Sequence, residues 1–180
     1  EESLPILREL FYTRLLSGQF HPEQVRDRAA RYEIDLPPGL WTAALIHADP
    51  QSEAGDAGRD ELLLLSVQSF LTDHFSLEGC TARAVLYEDT AALLVQLSGP
   101  DRLYPLLEEL ERLSLLSRGF LGAPLTAGVG RPCPGPEALY PSARGARAAL
   151  DYRALVGSGR VIYIDDTEPE CTATISFDEN

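Results

Sequence analysis

Leu125-Thr-Ala-Gly-Val-Gly-Arg-Pro132, then Tyr140-Pro-Ser-Ala-Arg-Gly-Ala-Arg-Ala-Ala-Leu-Asp-Tyr152, then Arg160-Val-Ile-Tyr-Ile-Asp-Asp166 are the stretches that decide the fold. The first is a short, mostly apolar run closed by proline, the pattern of a buried strand that leads into a loop. The second sets Leu139, Ala143, Ala146, Leu150 and Ala154 at i, i+4, i+7, i+11 and i+15, one stripe of a helix. Alanines on that stripe let the helix approach a sheet closely. Gly157-Ser-Gly159 ends the helix, and residues 160–164 predict a final strand.

Working back toward the N-terminus, the same periodicities alternate. Leu4, Leu7, Leu10, Phe11 and Leu15 fall on one side of a leading helix that Gly18 stops. A second short helix starts at His21-Pro22-Glu23 and carries Val25, Ala29 and Tyr32 on one face. Leu40-Trp-Thr-Ala-Ala-Leu-Ile-His-Ala48 is a nearly continuous apolar run, as expected of a central strand covered on both sides. Asp49-Pro50 closes it, and residues 51–58 read as a solvated loop. Leu63, Val67, Phe70, Leu71 and His74 have helical spacing. Residues 81–87 and 91–97 then form a hairpin across the tight turn Glu88-Asp89-Thr90. A helix follows with Leu103, Leu106, Leu107, Leu110 and Leu113 on one face. The order β-α-β-β-α-β-α-β behind two helices predicts an α+β sandwich with an antiparallel centre.

The chain has 180 residues, 44% hydrophobic and 24% charged, the balance of one globular domain with a real core. No apolar run is long enough to cross a bilayer and no signal peptide opens the sequence. The helical pattern begins almost at the first residue, as in an excised piece of a longer protein. Net charge is −13, which repels nucleic acid. All 15 basic residues are arginine. GC-rich coding explains the replacement of lysine, and the chemical consequence is that Schiff-base chemistry and a phosphate-gripping lysine are excluded. Cys80, Cys133 and Cys171 show no CxxC pair, so neither a disulfide framework nor a zinc site is expected, and a cytoplasmic setting is the simplest.

Several motifs resolve into structural readings. Gly128-Val-Gly130-Arg-Pro-Cys-Pro-Gly135 lacks GxGxxG spacing, and its prolines remove amide donors that a phosphate cradle needs. Its glycines instead predict close backbone approach. His21, His47 and His74 share no ligand spacing. Ser142, between Pro141 and Ala143, has no nucleophile-elbow context. From residue 118 to residue 160, six arginines (118, 131, 144, 147, 153 and 160) face only Glu137 and Asp151. Arg144 and Arg147 lie three apart on one helix and can act together. The plain reading is a solvated face paired with the acidic remainder; the sharper one is a docking face for an acidic partner or anionic ligand.

The succession Gly-Val-Gly-Arg-Pro, the helix from Glu137 and the Arg-Val-Ile-Tyr-Ile strand resembles the degenerate GGDEF-like middle domain of AraC-family response regulators of the YesN kind. The resemblance implies a nucleotidyl-cyclase-like sheet on a ferredoxin-like core, with N-terminal connector helices over 1–38, the domain proper over 39–166 and an acidic tail or linker over 167–180. It also implies what the cyclase chemistry requires. A Gly-Gly-Asp-Glu-Phe loop belongs at the hairpin, where this chain has Tyr87-Glu88-Asp89-Thr90-Ala91. Both glycines are gone, Thr90 replaces the glutamate, and only Asp89 matches. A second metal-binding carboxylate belongs at the end of the first strand, where Asp49 stands, although Asp49-Pro50 also reads simply as a strand stop. The Phe-Lys, Asn and Asp that read guanine have no counterparts in Gln51-Ser52-Glu53 or elsewhere.

The expectation is therefore a domain without catalytic residues, cofactor or metal. In such regulators a phosphorylated receiver precedes the domain and paired helix-turn-helix units follow it. The implied partners are those two units of one longer chain, and a second copy forming a homodimer. Direct contact with nucleic acid or membrane is not expected. Leu4, Leu7, Phe11 and Leu15 are the candidate relay and dimer stripe. The alternative is a sensor for a small molecule or nucleotide in the vestigial cleft, with Asp49, Glu88, Asp89, Arg144 and Arg147 as its polar groups.

Overall fold

The computed structural model describes residues 3–49 and 57–167. Of the loop expected over 51–58, residues 51–56, with Gln51-Ser52-Glu53, lie outside the described residues, as does the expected tail beyond Thr167, and residues 57 and 58 already belong to a helix. Two helices, α1 (Leu4–Leu16) and α2 (Pro22–Arg31), precede β1 (Leu40–Ala48). Then come α3 (Ala57–His74), β2 (Cys80–Tyr87), β3 (Thr90–Leu97), α4 (Leu103–Leu121), β4 (Leu125–Val129), α5 (Leu139–Asp151), the short α6 (Arg153–Val156) and β5 (Val161–Tyr163). The five strands form one sheet in the order β2-β3-β1-β4-β5. Its first four strands are antiparallel to their neighbours, and β5 runs parallel to β4.

Strands β1 and β3 are central, which is why their side chains are apolar on both faces. Alternation sends Ala44, Ile46 and Ala48 of β1 to one face, where Val67, Phe70 and Leu71 of α3 and Leu106, Leu110 and Leu113 of α4 complete a core. It sends Ala43 and Leu45 to the other, against Phe11, Leu15 and Leu16 of α1, Val25 and Ala29 of α2, and Leu139, Ala143, Ala146 and Leu150 of α5. The helices read as a connector over 1–38 thus supply much of the cover of this second face.

Close approach of α5 to β4 depends on two glycines. A Cβ at Gly128 would collide with the Ala146 carbonyl and lie 2.9 Å from Leu150 Cα, and one at Gly130 would run into the Ser142 carbonyl. Ser142, buried in the seam, holds the helix in register. Its Oγ accepts the Ala43 N–H at 3.0 Å, while the Thr42 hydroxyl donates to the Gly130 carbonyl at 2.7 Å. The alanine stripe is buried as its spacing predicts, apart from Ala154, which is exposed in α6.

Two local expectations are corrected. The last strand is three residues long and not five, although the Arg160 carbonyl still accepts the Ala127 N–H at 2.9 Å. In α1 the buried residues are Phe11, Tyr12, Leu15 and Leu16, whereas Leu10 is 42% exposed. The helix turns Phe11 and Leu15 onto the sheet, so Leu10, one residue earlier, rotates out by about 100°.

Candidate functional site

The β2–β3 turn is where the structure concentrates its charged contacts. Tyr87 and Thr90 are paired at the end of the hairpin, leaving Glu88 and Asp89 as a two-residue loop. Glu88 has φ 54°, a left-handed conformation that glycine adopts freely and a side chain resists. The Thr90 hydroxyl donates to the Tyr87 carbonyl at 2.7 Å and closes the turn from inside. Thr90 itself is fully buried, so the position where a cyclase keeps its glutamate is packing here.

Helix α5 reaches over this turn. One Arg147 nitrogen, Nη2, donates to Glu88 Oε1 and to Asp89 Oδ1, each at 2.9 Å. Burial pushes the Asp89 carboxyl upward, but the hydrogen bond and charge of Arg147 outweigh it, aided by His47, and hold Asp89 below its ordinary value. Arg147 is shifted the opposite way, upward, by the same two carboxylates against its own desolvation. Arg144 takes no part in this cluster. Its guanidinium lies 5.9 Å from the Tyr140 ring, one turn back along the helix.

At the end of β1, His47 pairs in register with Thr126 of β4. His47 Nδ1 is 3.1 Å from Asp49 Oδ1, a charge-pair distance, yet the geometry misses a hydrogen bond and leaves the buried nitrogen without one among the described residues. Thr126 Oγ1 contacts Asp49 Oδ2 at a long 3.4 Å and accepts the Gly159 N–H at 2.7 Å. Asp49 and Asp89 thus hydrogen-bond to different partners, Thr126 and Arg147, and have only the charge of His47 in common. Among the described residues no group of three or more His, Cys, Asp and Glu side chains is arranged to hold a metal ion.

Sequence reasoning selected Asp49, Glu88, Asp89, Arg144 and Arg147; Glu88, Asp89 and Arg147 meet at one turn, and Asp49 and Arg144 stand apart from it. It set His47 aside for want of zinc-ligand spacing, and it did not single out Thr126. The position of His47 two residues before Asp49 on an alternating strand was the available signal, since both side chains must share a face.

The relay candidates divide along α1. Phe11 and Leu15 are buried in the body, Leu4 and Leu7 are half-buried, and Ile6 is 70% exposed. The end of α1 touches both the hairpin and α5. Ser17 Oγ lies 3.3 Å from the Tyr87 hydroxyl, and Gly18 (φ 73°) sits so close to Tyr140 that a Cβ there would fall 2.7 Å from the ring.

A five-stranded mixed sheet with helices on both faces, and a tight hairpin turn beside the end of the first strand, define an α+β domain of the cyclase-like class. The sequence model of the GGDEF-like domain matches residues 17–152, more than half of the chain, and the protein belongs to that family. No curated protein matches the chain. Among the described residues no helix is long and apolar enough to cross a membrane.

Proposed function

We propose that this GGDEF-like domain is a non-catalytic relay and dimerisation module of a bacterial AraC-type response regulator, passing state from a receiver to helix-turn-helix units. The observation that carries the reading is Arg147 on Glu88 and Asp89. A guanidinium occupies Asp89, the one turn carboxylate that matches the cyclase loop, so the negative charge of the turn is partly offset from within the chain. The same helix is reached by α1 through Tyr140, and the same hairpin through Tyr87. A shift of α1 is thereby coupled to α5 and the turn by packed, discrete contacts, and signalling becomes a population shift between packings. Ile6 and Leu10, exposed on α1, are the residues left for a second copy.

Incubation with GTP and Mg²⁺, followed by chromatography for cyclic dinucleotide, is expected to give no product, and calorimetry no binding heat. Product would make the domain a cyclase, and heat without product would favour the sensor reading. Sedimentation is expected to show a dimer that Ile6→Asp and Leu10→Asp dissociate.

A further inference from the structure

The sheet has two edges, and they differ. Strand β5 is three residues long, whereas β2 runs for eight, with no strand paired to its outer side among the described residues. The Gly79 carbonyl accepts the Ser98 N–H at 2.8 Å, and from that pair onward antiparallel alternation commits Thr81, Arg83, Val85 and Tyr87 to β3. Cys80, Ala82 and Ala84 therefore turn their N–H and C=O groups outward. Two of these groups are met within the chain: the Cys80 N–H donates to the Leu77 carbonyl at 3.2 Å, and the Ala84 carbonyl accepts Gln68 Nε2 at 3.1 Å. Both groups of Ala82, the Cys80 carbonyl and the Ala84 N–H have no partner among the described residues. Thr81, Ala82 and Arg83 are exposed, so this stretch lacks the cover that proteins ordinarily give a long edge.

A hollow flanks the same stretch on each face. Toward α3, about 370 Å³ is walled by Leu71, Phe75, Leu77 and Leu93 and lies against Ala82 and Ala84, whose methyl groups are too small to fill it. Toward α1, about 260 Å³ lies beside Tyr12, Trp41, Asp35 and Arg83 and carries charge of both signs. A strand laid along the edge sends alternate side chains to the two faces. The residue opposite Ala82 shares its face and drops toward α3, where a large apolar side chain fills the space.

A second copy meets these requirements poorly. Paired with itself about Ala82, β2 would offer only Cys80, Ala82 and Ala84 to the apolar hollow, each too small for it. The open stretch over residues 80–84 is also a peptide-sized footprint, short of the roughly 1,200 Å² that a lasting interface between two folded copies buries.

We infer that the outer edge of β2 over residues 80–84 takes an added strand from another protein, an extended segment with large apolar residues at alternate positions and polar ones between them. The site is independent of the Arg147 contact at the far end of the hairpin.

The test uses a synthetic peptide of about six residues, alternating leucine and threonine, titrated into the whole chain by fluorescence anisotropy. Binding is expected, with hydrogen exchange of the Ala82 amide slowed by about tenfold or more. With leucines in the α3-side hollow, the leucine amides face β2 and the threonine amides face away. Methylating the leucine amide nitrogens is expected to weaken binding by about tenfold or more, and methylating the threonine amides to leave it nearly unchanged. Ala82→Leu, which fills the hollow from an exposed position, is expected to weaken binding by a similar factor, and an unaltered melting temperature confirms that this variant folds. Failure of the peptide to bind, or equal loss on methylating either set of amides, overturns the proposal. So does an alanine–threonine peptide that binds as well, an Ala82 amide that exchanges at its free rate in the complex, or binding indifferent to Ala82→Leu. A dimer in sedimentation that Ala82→Leu dissociates would also overturn it, by making a second copy the occupant.

Discussion

Arg147 on α5 and Asp89 in the β2–β3 turn are 58 residues apart in sequence and 2.9 Å apart in the fold. The contact puts one guanidinium across two adjacent carboxylates, because Glu88 is bridged by the same nitrogen. It also bears on the backbone, since Glu88 holds φ 54° with a side chain attached. In this family's namesake loop that position belongs to glycine. Here a residue that resists the conformation is retained where its carboxylate has a partner.

Replacing Arg147 with alanine should therefore raise the Asp89 pKa toward its ordinary value, read by carbon-detected NMR titration of the carboxyl group. The sign follows from the direction of the shift. A carboxyl depressed in the fold adds stability above its unfolded pKa of about 3.9 and loses it as pH falls through the folded value. Wild type should thus lose this contribution below about pH 4, and Arg147→Ala should lack it throughout. Asp89 is largely exposed, so the whole effect should stay within about 1 kcal/mol. An Asp89 titration that does not move in the variant would mean that the contact is not populated in solution.

Gly128 and Gly119 make a matched pair of opposite sign. At Gly128 an added methyl meets backbone of α5, the Ala146 carbonyl and Leu150, neither of which can rotate away. Gly128→Ala should cost about 3 kcal/mol in chemical denaturation. At Gly119, on the exposed side of α4, nothing lies within 4 Å, and the helix would gain propensity. Gly119→Ala should stabilise by up to about 1 kcal/mol. Equal effects at the two sites would mean that α5 does not press on β4.

Much of this architecture is legible in the residues themselves. The apolar runs of β1 and β3 announce strands covered on both faces, the alanines of α5 announce close packing, and Gly128 and Gly130 announce the backbone they approach. These are local signals, fixed by periods of two and of three to four residues. What is not legible is pairing over distance. Nothing in the sequence around Arg147 selects Glu88 and Asp89 over the other acids of a chain with net charge −13. The rotation of α1 is also hidden, because Leu10 and Phe11 are both apolar neighbours and only contact with the sheet decides which is buried. Glu109 is the clearest miss. In a run reading Glu108-Glu109-Leu-Glu111-Arg112 it looks like one more solvated acid, yet it is 7% exposed.

Tyr163 at the end of β5 gives an alkaline counterpart to Asp89. Burial, then the charge of Asp165 and a hydrogen bond to it, push its phenol up to about 12. A group raised in the fold contributes stability that is fully present below its unfolded pKa of about 10 and fades as pH climbs toward the folded value. The domain should therefore lose stability between about pH 10 and pH 12, and Tyr163→Phe should flatten that limb. Asp165→Asn should bring the Tyr163 titration down, measured by NMR of the ring carbons. It should also remove the Asp165 partner of Arg131 Nε.

Glu109 and Arg112 supply the last test, and its content is an asymmetry. The buried carboxylate accepts the Ser76 N–H at 2.8 Å through Oε2, and Arg112 grips both oxygens at 2.8 and 2.6 Å. Arg112 also donates to the His74 carbonyl at 2.9 Å, so the pair ties α4 to the end of α3. The two side chains differ in exposure: that of Arg112 is half exposed and that of Glu109 is buried. Removing the carboxylate leaves a guanidinium that water can solvate, and Glu109→Leu should cost about 1 kcal/mol, mostly from the stranded Ser76 amide. Removing the arginine leaves a charge buried without its partner, and Arg112→Ala should cost about 3 kcal/mol. Denaturation of the two variants and of the double variant gives both costs and their coupling. If Glu109→Leu proved the more damaging, the pair would be acting through packing of the glutamate and not through its charge.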